Sequence, residues 1–275
     1  MSPTGSESSG LKSLITEQSV CIMVPTYNEI QNVAGMVQRL RASVPEATIV
    51  VLDDNSPDGT GALADDLASI DSSVRVLHRP RKDGLGPAYM QGLAWAKAHG
   101  FQAAVQIDAD GSHQPEQLPS LLRAADRADV VIGSRWVPGG AVRNWPVHRK
   151  ALSLGGNVFV RVALGIPIRD ATAGFRVYRL AALDAMGLEH VASQGYCFQV
   201  DLTLRAHDAG LSIIEVPIEF IERAHGNSKM GTSIVTEALI RVTLWGVQRR
   251  IAQARVLVAR LRPRSDALSA AAKGS

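Results

Sequence analysis

Five short apolar runs recur through the first half of the chain, and each ends in polar, acidic or glycine-rich residues. VCIMVP leads into TYNE, TIVVLDD into NSPDG, VRVLH into RPRKDGLG, AAVQI into DADGS, and DVVIG into SRW. Helical periodicity fills the gaps between them. Ile30, Val33, Val37 and Leu40 share a face behind Asn28, an expected N-cap; Leu63, Leu67 and Ile70 share another, and further helices are expected around residues 86–99 and 115–126. Continuous apolar runs separated by helices are strands covered on both faces of a mainly parallel sheet. The chain is therefore expected to be α/β, a Rossmann-like open sheet flanked by helices.

Composition narrows the classes further. With 275 residues, 46% of them hydrophobic, the chain can bury one large core or two modest ones. The polar start MSPTGSESSG has no basic stretch followed by an apolar one, so nothing marks it for secretion, and it is expected to be disordered. Cys21 and Cys197 sit in apolar runs without CxxC spacing and read as buried thiols of a reducing compartment. The longest stretch without Asp, Glu, Lys or Arg, Gly84 to Ala96, falls short of the ~18 apolar residues a membrane span needs. A formal charge of +3 gives no argument for nucleic acid.

In open α/β sheets, ligands bind beyond the carboxyl ends of the strands, where all five polar segments fall. Each taken alone is an ordinary turn sequence; their joint placement points to a site. A dinucleotide enzyme would carry GxGxxG where this chain has PTYNE, and no P-loop is present. A diphosphate ligand without a glycine cradle needs another positive charge. Asp108 and Asp110, two apart at a strand end, with the Ser112 hydroxyl, would supply one by holding Mg2+ or Mn2+; the alternative is an acidic turn capping the helix at Pro115. The histidines are scattered without i, i+4 pairs, and His113 is expected to be near Asp108 and Asp110 in sequence only.

The ordered set PTYNE, DDNSPDGT, GLGPAY, DADGSHQPE, GSRW, DATAGFRVYR, GYCFQVDLTLRA and EVPIEFIERAHGNSKMG, over roughly residues 20–231, resembles the family 2 glycosyltransferases of the GT-A fold. Within them it is similar to the dolichyl- and polyprenyl-phosphate mannosyltransferases. The resemblance implies inverting transfer of mannose from GDP-mannose to a polyprenyl phosphate. It assigns Pro25, Tyr27, Glu29, Val51 and Asp53 to the nucleoside, and Asp108, Ala109 and Asp110 to the diphosphate and metal. It sets Arg135, Arg223 and Lys229 against the donor phosphates. Ser112 stands where many relatives carry glutamine, and Gly111 where many carry leucine, departures that bear on the third metal ligand. Arg135 and Arg149 are expected to hold the acceptor phosphate, with a surface ion pair as the alternative for Arg135. Asp201 is expected to be a structural or positioning carboxylate, and Trp95 and Trp245 packing or interface residues. A UDP-sugar-dependent glucosyl- or GlcNAc-transferase acting on the same lipid, or a non-catalytic nucleotide-sugar-binding subunit, are the other readings.

Between Ala238 and Ser265 lie seven arginines and no acid, and Ile240, Leu244, Val247, Ile251, Ala254, Val258 and Leu261 recur at helical spacing. Such a stripe lies on a membrane or pairs with a second copy as a coiled coil. The expected organisation is a disordered stretch at 1–18, a glycosyltransferase domain at 19–232, a basic amphipathic membrane-interface helix at 233–264 and a disordered tail at 265–275. The enzyme is expected to be cytoplasmic and peripheral on the cytoplasmic face of the membrane, with a membrane-anchoring partner protein allowed by the resemblance.

Overall fold

The computed structural model describes residues 14–191, 196–223 and 232–261; Lys229 and most of the two stretches expected to be disordered lie outside the described residues. The apolar runs form β1 (Val20–Thr26), β2 (Thr48–Asp53), β3 (Val74–His78), β4 (Ala103–Gln106) and β5 (Val130–Ser134). Between them lie α1 (Val33–Ser43), α2 (Thr60–Ile70), α3 (Leu85–Ala98) and α4 (Leu118–Ala125). The second half adds β6 (Ala141–Arg143), α5 (Val147–Leu164), β7 (Arg176–Arg179), α6 (Tyr196–Asp208), β8 (Ile213–Pro217), β9 (Glu219–Ile221) and α7 (Thr232–Leu261).

The main sheet runs β3-β2-β1-β4-β7-β5-β8, parallel throughout except for β7, which is antiparallel to both neighbours. Along β1 the side chains alternate between two cores. Val20, Ile22 and Val24 face the side covered by α1, α2 and α4, while Cys21 and Met23 face Tyr89, Leu93 and Phe198 on the other. Each such fully buried side chain stabilises the fold by about 1.5–3 kcal/mol. β6 and β9 pair separately as a short parallel ribbon beside the carboxyl edge.

Asn28 is not an N-cap. It takes a left-handed conformation at φ 59° and α1 begins at Val33, so Ile30 lies in the preceding turn, 41% exposed. Ile70, the last residue of α2, lies beyond its buried face and is 83% exposed.

α7 packs on α5 and α6 by burying Val242 and half-burying Trp245; a Cβ on Gly246 would stand 2.7 Å from the Ala163 carbonyl oxygen. The opposite side of α7 exposes Ile240, Leu244, Val247 and Ile251. On α5, Val147, Leu154, Val158 and Val162 likewise point away from the protein, opposite buried Asn157, Val160 and Leu164. Among the described residues no helix is long and apolar enough to cross a membrane.

Candidate active site

The loops after β1 and β2 clasp one another. Backbone N–H groups of Asn28, Glu29 and Ile30 donate to Ser56 Oγ, Thr60 Oγ1 and Asp58 Oδ2 at 3.1, 3.0 and 3.2 Å. Asp53 braces this clasp from below: Thr26 Oγ1, Ser56 N and Ser56 Oγ donate to it at 3.0, 3.0 and 2.6 Å, and the residue is 2% exposed. Val51 lies wholly in the core. Their side chains thus shape the floor, while half-buried Pro25, Tyr27 and Glu29 stand at the open edge. Lys82, not singled out from the sequence, lies with Nζ 3.9 Å from the Tyr27 ring centroid. Asp54 forms a buried ion pair with Arg79.

Just past β4, the chain turns back sharply at Gly111, φ +75°, where the Ser112 N–H donates to Asp110 Oδ1 at 3.0 Å. Ala109 is buried beneath this turn. Tyr89 Oη donates to Asp108 Oδ1 at 3.2 Å, and Arg223 Nη2 lies 3.1 Å from Asp110 Oδ2. Burial pushes the Asp108 carboxyl above the usual range and the neighbouring Asp110 charge adds to this, against opposition from His113 and Arg223. With one arginine set against two hard carboxylates, the pair keeps net negative charge and fits a divalent cation. Among the described residues no group of three His, Cys, Asp or Glu side chains is placed to hold a metal, so such an ion would draw on the Ser112 hydroxyl, waters and substrate oxygens besides the two carboxylates, a mode Mg2+ favours. The same turn brings His113 back beside Asp108, with Nδ1 3.8 Å from Asp108 Oδ2, so its proximity is spatial as well as sequential.

Arg135, at the end of β5, is neither a surface ion pair nor an open phosphate ligand. Its Nε and Nη2 fork onto Asp170 at 2.8 and 2.6 Å, its backbone N–H donates to the same carboxylate at 2.9 Å, and Nη2 also reaches Thr172 Oγ1 at 2.9 Å. Asp170 is 0% exposed and Arg135 7%. Burial alone would raise the Asp170 carboxyl, but the Arg135 charge and hydrogen bonds reverse this and hold it below the usual range. The guanidinium lies 5.5 to 6.0 Å from the ring centroids of Phe220, Trp145 and Trp136.

Arg149, in the first turn of α5, lies over the Trp145 ring at 4.3 Å and pairs with Glu222, the residue after β9. Its Nε is buried without a hydrogen-bond partner. Arg149 is thus held at one end and retains donor capacity. Asp201 accepts from Arg205 Nε at 2.7 Å one turn along α6, a structural position. Trp95 stacks on His99 and Phe101, and Trp245 packs on the core.

The chain matches the family described as Glycosyl transferase family 2 over residues 21–187. It is 52% identical over 231 residues to a Micrococcus luteus protein named undecaprenyl-phosphate mannosyltransferase, covering 84% of this chain and 95% of that one. It is 50% identical over 243 residues to the polyprenol monophosphomannose synthase of Mycolicibacterium smegmatis, covering 88% and 92%. The fold is similar to that of Mycobacterium tuberculosis glucosyl-3-phosphoglycerate synthase, solved with Mn2+, UDP and glucosyl-3-phosphoglycerate. That likeness has a TM-score of 0.59 at 20% identity, covers 84% and 79% of the two chains, and bears on fold alone.

Proposed function

The chain belongs to glycosyl transferase family 2, and from that membership we propose that it transfers mannose from GDP-mannose, with inversion, to the phosphate of a membrane polyprenol. Mannosyl transfer to a polyprenyl phosphate is the reaction in the names of two relatives that are 52% and 50% identical to it over the aligned residues. The observation that carries the reading to this chain's own site is Arg149. It offers an incompletely satisfied guanidinium at the start of the helix whose outer face is apolar, so an anion tethered to a lipid tail finds its counter-charge beside a surface fit for the tail.

A sugar hydroxyl acceptor would need a base to take its proton. A phosphate monoester, with a second pKa of about 6, is already mostly dianionic near neutral pH and needs none. What it needs is neutralisation and aim, since an anionic nucleophile approaches an anionic donor. Arg149 receives the acceptor phosphate with its planar fork, and Arg135, locked by Asp170, adds fixed positive charge behind it. Arg223, with Lys229 as its expected companion, faces the donor phosphates from beyond β9. Pro25, Tyr27 and Glu29 border the nucleoside; Val51 and Asp53 support the floor beneath it. Asp108 and Asp110, with Ala109 between them and the Ser112 hydroxyl beside them, would hold Mg2+ or Mn2+, which when bound stabilises charge on the departing diphosphate.

We place the enzyme peripherally on the cytoplasmic face of the membrane, consistent with its two buried free thiols. The α5 and α7 stripes would lie on the bilayer, with Arg241 and Arg250 flanking the α7 stripe towards anionic headgroups. The division at 232/233 is one of role, because α7 buries Val242 in the core of the 19–232 unit. A membrane-anchoring partner protein would act on the same face. The test is transfer: the purified chain and polyprenyl phosphate in vesicles receive radiolabelled GDP-mannose, UDP-glucose or UDP-GlcNAc, with and without Mg2+. Label from GDP-mannose should reach lipid. Label arriving from a UDP-sugar instead would replace the donor, and no transfer from any of the three would overturn the reading.

A further inference from the structure

His113 belongs to no role so far, yet its placement is specific. The residue is 2% exposed, and its ring is wedged between Phe175 and Phe220 at centroid distances of 5.4 and 5.2 Å. Its backbone is pinned as well: His113 forms an isolated antiparallel bridge with Phe220, and the Ile221 N–H donates to the Ser112 carbonyl at 3.0 Å. Gly174 lies on the remaining side, where a Cβ would meet His113 Cε1 at 3.5 Å and Asp108 Oδ2 at 3.4 Å, ordinary contact distances. The two phenyl rings and the backbone bridge thus hold the ring beside Asp108. Nδ1 is buried with no hydrogen-bond partner, and Asp108 Oδ2 stands 3.8 Å from it. A buried nitrogen left in that condition costs about 1–3 kcal/mol, a cost this fold carries beside a carboxylate whose side chain is still 33% exposed.

We propose that His113 is a positioning residue for the cation site: its Nδ1–H takes up Asp108 Oδ2 when the carboxylate turns to receive a divalent ion, fixing which oxygen faces the metal. Closing 3.8 Å to a hydrogen bond of about 2.9 Å needs a small rotation of Asp108 and the tautomer of His113 that carries its proton on Nδ1. Tyr89 Oη already holds Oδ1 from the opposite side, so both oxygens of Asp108 would then have a fixed donor. Residues that orient metal ligands in this way typically account for about 10–100-fold in metal affinity.

The proposal rests on Asp108 being a cation ligand, and the test separates the two. Mn2+ alone is titrated into the full chain and free Mn2+ followed by electron paramagnetic resonance, for wild type, Asp108→Asn, His113→Phe and His113→Asn. The phenyl ring keeps the packing and loses the nitrogen; the asparagine amide keeps a donor near Nδ1. Affinity should fall about 10–100-fold in His113→Phe and stay within about threefold of wild type in His113→Asn, with the metal-free melting point of each preserved. If His113→Phe does not fold, wild type with 15N-labelled histidine gives the same answer. Its His113 Nδ1–H resonance should move downfield to a hydrogen-bonded position on adding Mg2+. Wild-type affinity in His113→Phe, equal losses in both His113 variants, or an Nδ1 signal indifferent to Mg2+ overturns the His113 role. Mn2+ binding that ignores Asp108→Asn overturns the cation site itself.

Discussion

Replacing Asp170 by asparagine should cost about as much stability as any single polar change in this protein. The carboxylate is completely buried and accepts from three donors of one residue, the backbone N–H, Nε and Nη2 of Arg135, at 2.6 to 2.9 Å. An amide in its place turns an NH2 group onto one of those donors and leaves the guanidinium without its counter-charge. Breaking a buried pair from one side typically costs about 3–5 kcal/mol. In a domain of this size that is a fall of about 6–20 °C in melting temperature. Urea unfolding followed by circular dichroism measures it. Arg135→Met should cost a similar amount, and the double variant less than the sum by at least about 2 kcal/mol, because the second change removes the group the first one stranded. The pair also sets a pH dependence. Asp170 is held below its unfolded value, so its contribution is present above the ordinary aspartate range and is lost as pH falls through the lower folded value. The variant should therefore show a shallower loss of stability in acid than wild type. A cost under about 1 kcal/mol, or additivity within about 0.5 kcal/mol, would refute the view that Arg135 is engaged by Asp170.

Asp110→Asn should lower Mg2+-dependent turnover about a hundredfold or more while leaving the melting point near wild type; near wild-type turnover at low Mg2+ would remove the metal assignment. Arg149→Lys keeps the charge but loses the fork, so the acceptor KM should rise about tenfold with GDP-mannose affinity unchanged by calorimetry, and lowering pH towards 6 should weaken acceptor use in both proteins as the lipid phosphate takes up a proton. Serine at Ile240, Leu244 and Val247 together should reduce co-sedimentation with anionic vesicles by about a thousandfold or more, given about 1.5–3 kcal/mol per fully buried side chain, and spare GDP-mannose binding. Unchanged vesicle binding with loss of a dimer on a sizing column would favour the coiled-coil reading.

Strand runs and the polar ends that follow them were legible because a parallel strand buried on both faces must be apolar throughout, and VCIMVP or TIVVLDD has no other stable use. β7 was not. Its sequence RVYR reads as surface, yet Arg176 is 0% exposed because the Ala171 and Ala173 carbonyls and Thr203 Oγ1 accept its N–H groups at 2.7, 2.7 and 2.9 Å. No periodicity announces such partners. Asp170 was missed for the same reason, although it opens the quoted stretch DATAGF. His113 was misjudged because linear spacing ignores the reversal at Gly111, whose positive φ returns the chain onto Asp108. Asn28 looked like a cap because asparagine suits both an N-cap and a left-handed turn, and only the clasp with Ser56 decides between them.

β7 also acts as a gauge. Because it lies between β4 and β5, the carboxylates after β4 and the arginine after β5 stand two strand spacings apart, about 9.5 Å, instead of one. Being antiparallel, it begins level with their ends, Arg176 opposite both Gln106 and Ile132, so the loop that supplies Asp170 and Gly174 opens into that interval. The width of the gap is thereby written into backbone pairing that no loop change can alter. A departing diphosphate and an arriving phosphate must flank one sugar ring, and a fixed interval suits that arrangement whichever sugar is carried. Altering sugar choice would fall to the side chains lining the gap, whereas inserting or deleting a strand pair there would abolish transfer of any sugar.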